Sequence, residues 1–185
     1  MTQQQIQELI DRSKQGDTKA FEILMLTYQP LVFRLAFRLL CDDNRAKDIV
    51  QDVFVKIWLQ IGKYKSHYRF STWIYKITCN LCYDKLRSMK HFPEATHPPD
   101  TITELEIISQ EDVEASVINN ELKELILYFT GKLSPKQKLI FTLKEIEELD
   151  VEEIVDITGF SENKIKSNLY LARKNIKDKI NAITS

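Results

Sequence analysis

Apolar residues recur every three or four positions along most of this chain, with polar residues in the intervals, which is the period of helices seated on a core. Gln3 to Lys14 predicts a short opening helix. Asp17 can cap a second, in which Phe21, Leu24, Tyr28, Leu31, Leu35 and Leu39 fall on one stripe. A third stripe, Ala46, Ile49, Val50, Val53, Phe54, Ile57 and Trp58, predicts a helix over about residues 44–61, ended by Gly62. A fourth helix follows from Phe70 to about Met89. From Pro93 to about Asp112 the pattern dissolves, and three of the 5 prolines fall in that stretch. Helical period resumes near Val113 and runs through Leu122, Leu125, Ile126 and Phe129 to Gly131. Ser134-Pro135-x-Gln137 then opens a further helix, with Ser as the cap, Pro at the first position and Gln reaching back. The 4 glycines all lie between periodic segments, as helix punctuation does. The pattern therefore predicts an all-α chain: two helical domains, 1–92 and 113–185, joined by a flexible acidic linker at 93–112.

The last third has the form of a helix-turn-helix. Asp150, with Glu153 three residues on, can cap a short helix carrying Ile154 and Ile157. Gly159 supplies the turn, and Ser161 can cap a second helix whose Ile165, Leu169, Ala172 and Ile176 face back onto the first. The outward face then presents Lys164, Lys166, Ser167, Asn168, Tyr170, Arg173, Lys174 and Lys177. Polar and basic groups projecting from a packed helix are what reading a DNA major groove requires.

Charge sharpens this picture. The net charge of −1 conceals three blocks: residues 1–92 hold 15 Lys and Arg against 9 Asp and Glu, residues 93–121 none against 8, and residues 122–185 11 against 10. A basic block beside an acidic one suits a chain that touches nucleic acid in one place and excludes or mimics it in another. On the fourth helix Lys76, Asn80, Tyr83 and Arg87 share a face, with cations for phosphates and Asn and Tyr for exposed bases. The loop before it interleaves Tyr64, Lys65, His67, Tyr68 and Arg69, a mixture suited to a single strand with unstacked bases. On the third helix Asp48, Gln51 and Asp52 project together; two carboxylates four apart repel mildly unless a cationic partner compensates.

Other chemistries find no support. No phosphate loop, nucleophile elbow or paired-carboxylate site is present, and 4 glycines leave none for a Gly-rich cradle. Cys79-x-x-Cys82 has a metal-like spacing but lies within a predicted helix without a second pair, so the two read as small buried thiols. Neither enzyme activity nor a cofactor or metal is expected. No apolar run approaches the ~20 residues of a membrane span. Met1 to Gln15 is too polar for a signal peptide, and an odd count of 3 cysteines argues against a disulfide scaffold. A cytoplasmic protein is expected.

Four stretches, in register along nearly the whole chain, resemble those of bacterial sigma factors, above all the small two-domain extracytoplasmic-function group. Phe70-x-x-Trp73-Ile74-x-x-Ile77-x-x-Asn80-x-x-x-Asp84-x-x-Arg87 is similar to the promoter-melting segment. Ala46 to Trp58 resembles the helix that docks on core RNA polymerase, Gly16-Asp17 with Phe21 and Tyr28 the opening helix, and Glu153 to Arg173 the reader of the upstream promoter element. The resemblance implies that Asp48, Gln51, Asp52 and Phe54 dock on the clamp helices of the polymerase's largest subunit. It implies that Tyr64, Lys65, Tyr68, Arg69, Trp73, Lys76, Asn80, Tyr83 and Arg87 handle the minus-ten element and hold a flipped base. Ser161, Lys164, Lys166, Ser167, Tyr170, Arg173 and Lys174 would read the minus-thirty-five element, while the apolar helices of that domain grip the flap of the second-largest subunit. Promoter DNA and an anti-sigma protein complete the implied partners, and the linker would thread near the polymerase's active-centre cleft. The sequence departs from the pattern at Val155, where a small residue is usual, and at Asn168 and Leu171, where relatives often carry Arg. The competing reading is a dimeric helix-turn-helix activator that binds duplex DNA without becoming a polymerase subunit.

Overall fold

A computed structural model of the chain describes residues 1–66, 69–90, 128–131 and 133–184. Four helices come first: α1 (Gln3–Lys14), α2 (Thr18–Leu40), α3 (Asp43–Gln60) and α4 (Phe70–Lys90). Three follow: α5 (Pro135–Phe141), α6 (Val151–Thr158) and α7 (Glu162–Thr184). Among the described residues all regular structure is helical. The linker expected at 93–112 and the helical period expected from Val113 to Leu125 lie outside the described residues, as do His67 and Tyr68.

Local chemistry sets most of the boundaries. Asp17 Oδ1 accepts from the backbone N–H of Lys19 and Ala20, each at 3.0 Å, and so starts α2. Ser134 and Gln137 form the reciprocal capping box of α5, with Pro135 at the first helical position. Glu153 accepts from the N–H of Asp150 at 3.0 Å ahead of α6. Gly159 ends α6 at φ 70°, a left-handed conformation that a side chain disfavours. Two boundaries differ from the sequence expectation. Gly62 does not end α3; it sits inside a 3₁₀ turn, Ile61–Lys63, that tightens the exit. After α5 the backbone passes into a π turn, Thr142–Ile146, and then into a left-handed residue, Glu148 at φ 56°.

Packing explains why α2 is so apolar. By length and composition it is the one described helix that passes as a membrane span, contrary to the expectation from the sequence. Its apolar side chains are instead the middle of the core: Ala20, Leu24, Val32, Leu35, Ala36 and Leu39 are buried against α1, α3 and α4. Ile49, Val53 and Ile57 of α3 and Phe70, Ile74 and Ile77 of α4 complete that group. In the second group Leu139, Ile140 and Leu143 meet Ile154, Ile157, Ile165 and Leu169. Ile176, expected to face inward, is only half-buried. The two groups are not separate in space. α4 packs on α5 and α6 as well as on α2 and α3, and one continuous apolar cluster joins them.

Gly159→Ala is expected to lower stability by about 1–2 kcal/mol, because an L side chain pays that much to hold the left-handed conformation. A Cβ at Gly159 meets nothing within 4 Å, so the cost is confined to the backbone. Urea denaturation of the two proteins measures it.

Candidate nucleic-acid interface

The inner face of α4 is fixed by the core, and its outer face is therefore fixed too. Phe70, Ile74, Ile77 and the thiols of Cys79 and Cys82 are buried. Lys76, Asn80 and Arg87 are exposed along the opposite side, with Tyr83 half-buried between them and the Arg87 guanidinium 5.9 Å from the Tyr83 ring centre. This is the shared face expected from the spacing. At its N-terminal end Trp73 is half-buried, its ring 5.3 Å from that of Tyr64 and 5.7 Å from that of Phe70. A cavity of about 450 Å³ opens beside Trp73, rimmed by Lys63, Tyr64, Lys65, Thr72 and Lys76, and closed from the far side by Val155 and Asp156 of α6.

Two residues expected at contact surfaces are placed differently. Tyr64 is only 6% exposed and is committed to the aromatic cluster with Phe70 and Trp73, so it shapes the cavity wall but does not reach out of it. Burial also pushes its phenol pKa up, which keeps the hydroxyl protonated. Phe54, expected to dock on a partner, is 5% exposed and forms the floor of a groove. That groove, about 600 Å³ between α2 and α3, is lined by Phe21, Met25, Val50, Phe54, Val55, Trp58 and Leu59. Asp48, Gln51 and Asp52 project beside it, as their spacing implied.

The apolar half of this surface was not expected from the sequence. Val55 and Leu59 are 60% and 74% exposed and continue the strip Asp48, Gln51 and Asp52 at helical spacing. Their signal was in the sequence: both are apolar yet out of phase with the buried stripe Ile49, Val53 and Ile57. Val155 was expected where α6 and α7 approach each other. It is half-buried and lines the Trp73 cavity beside α4.

On α7 the outward row Lys164, Lys166, Ser167, Tyr170, Arg173 and Lys174 is exposed, together with Ser161 ahead of it, and Tyr170 is 68% open to solvent. Several of these groups are oriented by neighbours. Lys164 lies 4.7 Å from the Phe160 ring centre, Lys166 pairs with Glu162 at 2.9 Å, and Arg173 donates to Glu145 of the π turn at 2.6 Å. The Lys166 and Arg173 pairs are solvent-exposed, so an incoming phosphate can exchange for either carboxylate at little cost.

Residues 24–91 match the family model for sigma-70 region 2, and residues 123–176 match the model for sigma-70 region 4. The chain belongs to the sigma-70 family. Its relatives place it in the extracytoplasmic-function group. It is 27% identical to the factor SigW of Bacillus subtilis, over 95% of this chain and 96% of that one. It is 29% identical to the sigma-E factor of Haemophilus influenzae, over 94% of each. Among solved structures the fold superimposes on CnrH, determined in complex with the cytosolic domain of CnrY, with a TM-score of 0.68 at 17% identity over 96% of this chain and 98% of that chain. It also superimposes on RpoE of Bartonella quintana, determined with the anti-sigma factor NepR, at 0.62 and 19% identity over 88% and 98%. Promoter-specific initiation with RNA polymerase is the function of this group, and the region 2 match accounts for the half of the chain that the activator reading left unexplained.

Among the described residues no group of His, Cys, Asp and Glu is arranged to hold a metal. Burial pushes the Cys82 thiol up to about 12, and burial, reinforced by neighbouring Cys82, pushes Cys79 well above its ordinary value. Both should stay protonated and unreactive in the folded protein. With iodoacetamide at pH 8, Cys79 and Cys82 are expected to remain unmodified in the native chain and to alkylate fully in urea, as read by peptide mass spectrometry.

Proposed function

We propose that this sigma factor grips core RNA polymerase with α3, opens the minus-ten element with α4 and its preceding loop, and reads the minus-thirty-five element with α7. The observation that carries the reading is one of position. The aromatic and cationic strip of α4 lies inside the stretch that matches region 2, and the lysine-rich outer face of α7 lies inside the stretch that matches region 4. Asp48, Gln51 and Asp52 meet cationic side chains on the clamp helices of the largest subunit, while Val55 and Leu59 bury apolar area beside them. The apolar helices of the second group hold the flap of the second-largest subunit.

In melting, a base leaves the duplex at a cost of a few kcal/mol and enters the cavity beside Trp73, where stacking returns about 1–3 kcal/mol. Lys65, Arg69 and Lys76 take the neighbouring phosphates, and Asn80, Tyr83 and Arg87 follow the strand along α4. Tyr68, next to Arg69 in the sequence, lies outside the described residues. On α7, Lys164, Lys166, Ser167, Tyr170, Arg173 and Lys174 reach the major groove, and Ser161 contacts the backbone at the helix start. Lysine lacks the paired fork of arginine, so binding to duplex DNA without polymerase is weak. The chain catalyses nothing itself; the polymerase supplies the chemistry. It works in the cytoplasm, and an anti-sigma protein is its second partner.

Run-off transcription from a genomic promoter library, with the purified chain and sigma-free core polymerase, tests this directly. Specific transcripts are expected. Asp48→Lys with Asp52→Lys should weaken core binding about tenfold or more, and Trp73→Ala should slow promoter opening by roughly tenfold at unchanged core affinity. Dimeric binding to duplex DNA without any binding to core polymerase would overturn the proposal in favour of the activator.

A further inference from the structure

Cys41 takes no part in the contacts with polymerase or DNA, yet its surroundings are built with care. It ends α2 with a left-handed backbone, φ 54°, where glycine or asparagine is usual. Its N–H donates to the carbonyl of Phe37 at 2.7 Å and its thiol to that of Arg38 at 3.7 Å, which holds the sulfur in place. An amine meets it there. Lys138 of α5 is only 7% exposed, and its Nζ stands 3.5 Å from Cys41 Sγ.

Lysine is among the residues least often buried, and a buried one is ordinarily accompanied by a carboxylate. Among the described residues no carboxylate pairs with Lys138: Glu147 goes to Arg38, and Asp150 to Lys144. The helix leaves Lys138 little freedom, because the capping box of Ser134 and Gln137 fixes the first turn of α5 and Leu139 and Ile140 are buried beside it. A buried amine is thus aimed at a buried thiol from 97 positions away in the sequence. The other two thiols differ, since burial keeps Cys79 and Cys82 protonated and slow to oxidise.

We propose that Cys41 and Lys138 form a modification site at which hydrogen peroxide joins sulfur to nitrogen as a sulfenamide. In the first step the Cys41 sulfur attacks one oxygen of the peroxide. The O–O bond breaks, sulfur is oxidised by two electrons to the sulfenic acid, and the other oxygen leaves as water. In the second step the lone pair of Lys138 Nζ attacks that sulfur. The S–O bond breaks, its oxygen leaves as a second water with a proton from nitrogen, and no further oxidant is consumed. A lysine that starts as the ammonium first gives its extra proton to solvent. Two thiols reverse the bond: one displaces nitrogen from sulfur as a mixed disulfide, and the next releases Cys41.

The bond ties the end of α2, inside the region 2 match, to α5, inside the region 4 match. Its effect on transcription rests on the sigma reading. Elements centred near minus ten and minus thirty-five lie about 25 base pairs, or about 85 Å, apart along B-form DNA, and a chain tied at this point cannot serve both. Peroxide therefore withdraws the factor from initiation.

Peptide mass spectrometry of the full chain tests the site. The reduced protein is treated with hydrogen peroxide, quenched with catalase and digested without reductant. A linked pair carrying Cys41 and Lys138, lighter than its two peptides by two hydrogens, is expected, and dithiothreitol in urea should separate it. Lys138→Met removes the amine and suits the buried position; its Cys41 should stop at the sulfenic acid and be captured by dimedone, with circular dichroism confirming the fold. Should that variant unfold, wild type oxidised in urea is the comparison, and it should give far less of the linked pair. Cys41 found as sulfinic or sulfonic acid beside free Lys138, a disulfide from Cys41 to Cys79 or Cys82, or an equal yield of linked pair in urea overturns the site. In run-off transcription the linked wild type should lose most of its specific transcript, while peroxide-treated Cys41→Ser keeps it. Transcript retained by fully linked protein overturns the block on initiation. Reduced protein that never initiates overturns the sigma reading and leaves the modification site standing.

Discussion

Helix α4 has one outer face and two claims on it. Its inner face is fixed by Phe70, Ile74 and Ile77 in the core shared with α2 and α3, which leaves the helix no freedom to rotate. Whatever α4 offers outward, the strip Lys76, Asn80, Tyr83 and Arg87, is therefore offered in one direction only. In the structure the second group touches part of that face, at Lys76, at Tyr83 and at the cavity beside Trp73, while Lys76, Asn80 and Arg87 stay exposed. A partner that takes the whole strip has to displace the contacts that Lys76 and Tyr83 make with the second group.

The competition is tuned by polar contacts laid over an apolar seam. Hydrophobic burial between α4 and α6 is nondirectional, and α6 could slide on it. The carboxylate of Glu147 gives the seam a fixed register, because it has to meet both the Arg38 guanidinium and the Tyr75 hydroxyl. The same π turn that aims Glu147 also presents Glu145 to Arg173 on α7. One short irregular segment thus touches α2 and α4 on one side and α7 on the other. The strip Asp48 to Leu59 lies on a different face of the first group and is exposed while the seam is closed.

Much of this was legible in the sequence because it is local. The caps at Asp17 and at Ser134 with Gln137, the turn at Gly159 and the stripes on α2, α3 and α7 are each decided within a few residues. The same holds for the common face of Lys76, Asn80, Tyr83 and Arg87. What was not legible depends on contacts far apart in the chain. The burial of Phe54 follows from which edge of a broad apolar stripe meets a neighbour, which periodicity alone does not distinguish, and that of Tyr64 from its packing on Phe70 and Trp73. The π turn has no composition of its own. The placement of Val155 and the grip on Glu147 exist only because the second group folds back on α4. The apolarity of α2 reaches that of a membrane span because a helix surrounded by three others asks for similar composition.

The central claim is that α4 and α7 reach two separated promoter elements at once. Dyes on introduced cysteines at exposed Asp11 of α1 and Lys177 of α7 measure it by energy transfer, first in the free chain and then on core polymerase at a promoter. The account predicts a short distance in the free chain that lengthens by tens of ångströms in the promoter complex, as the two elements' separation requires. An unchanged distance in a complex that still initiates transcription would contradict it.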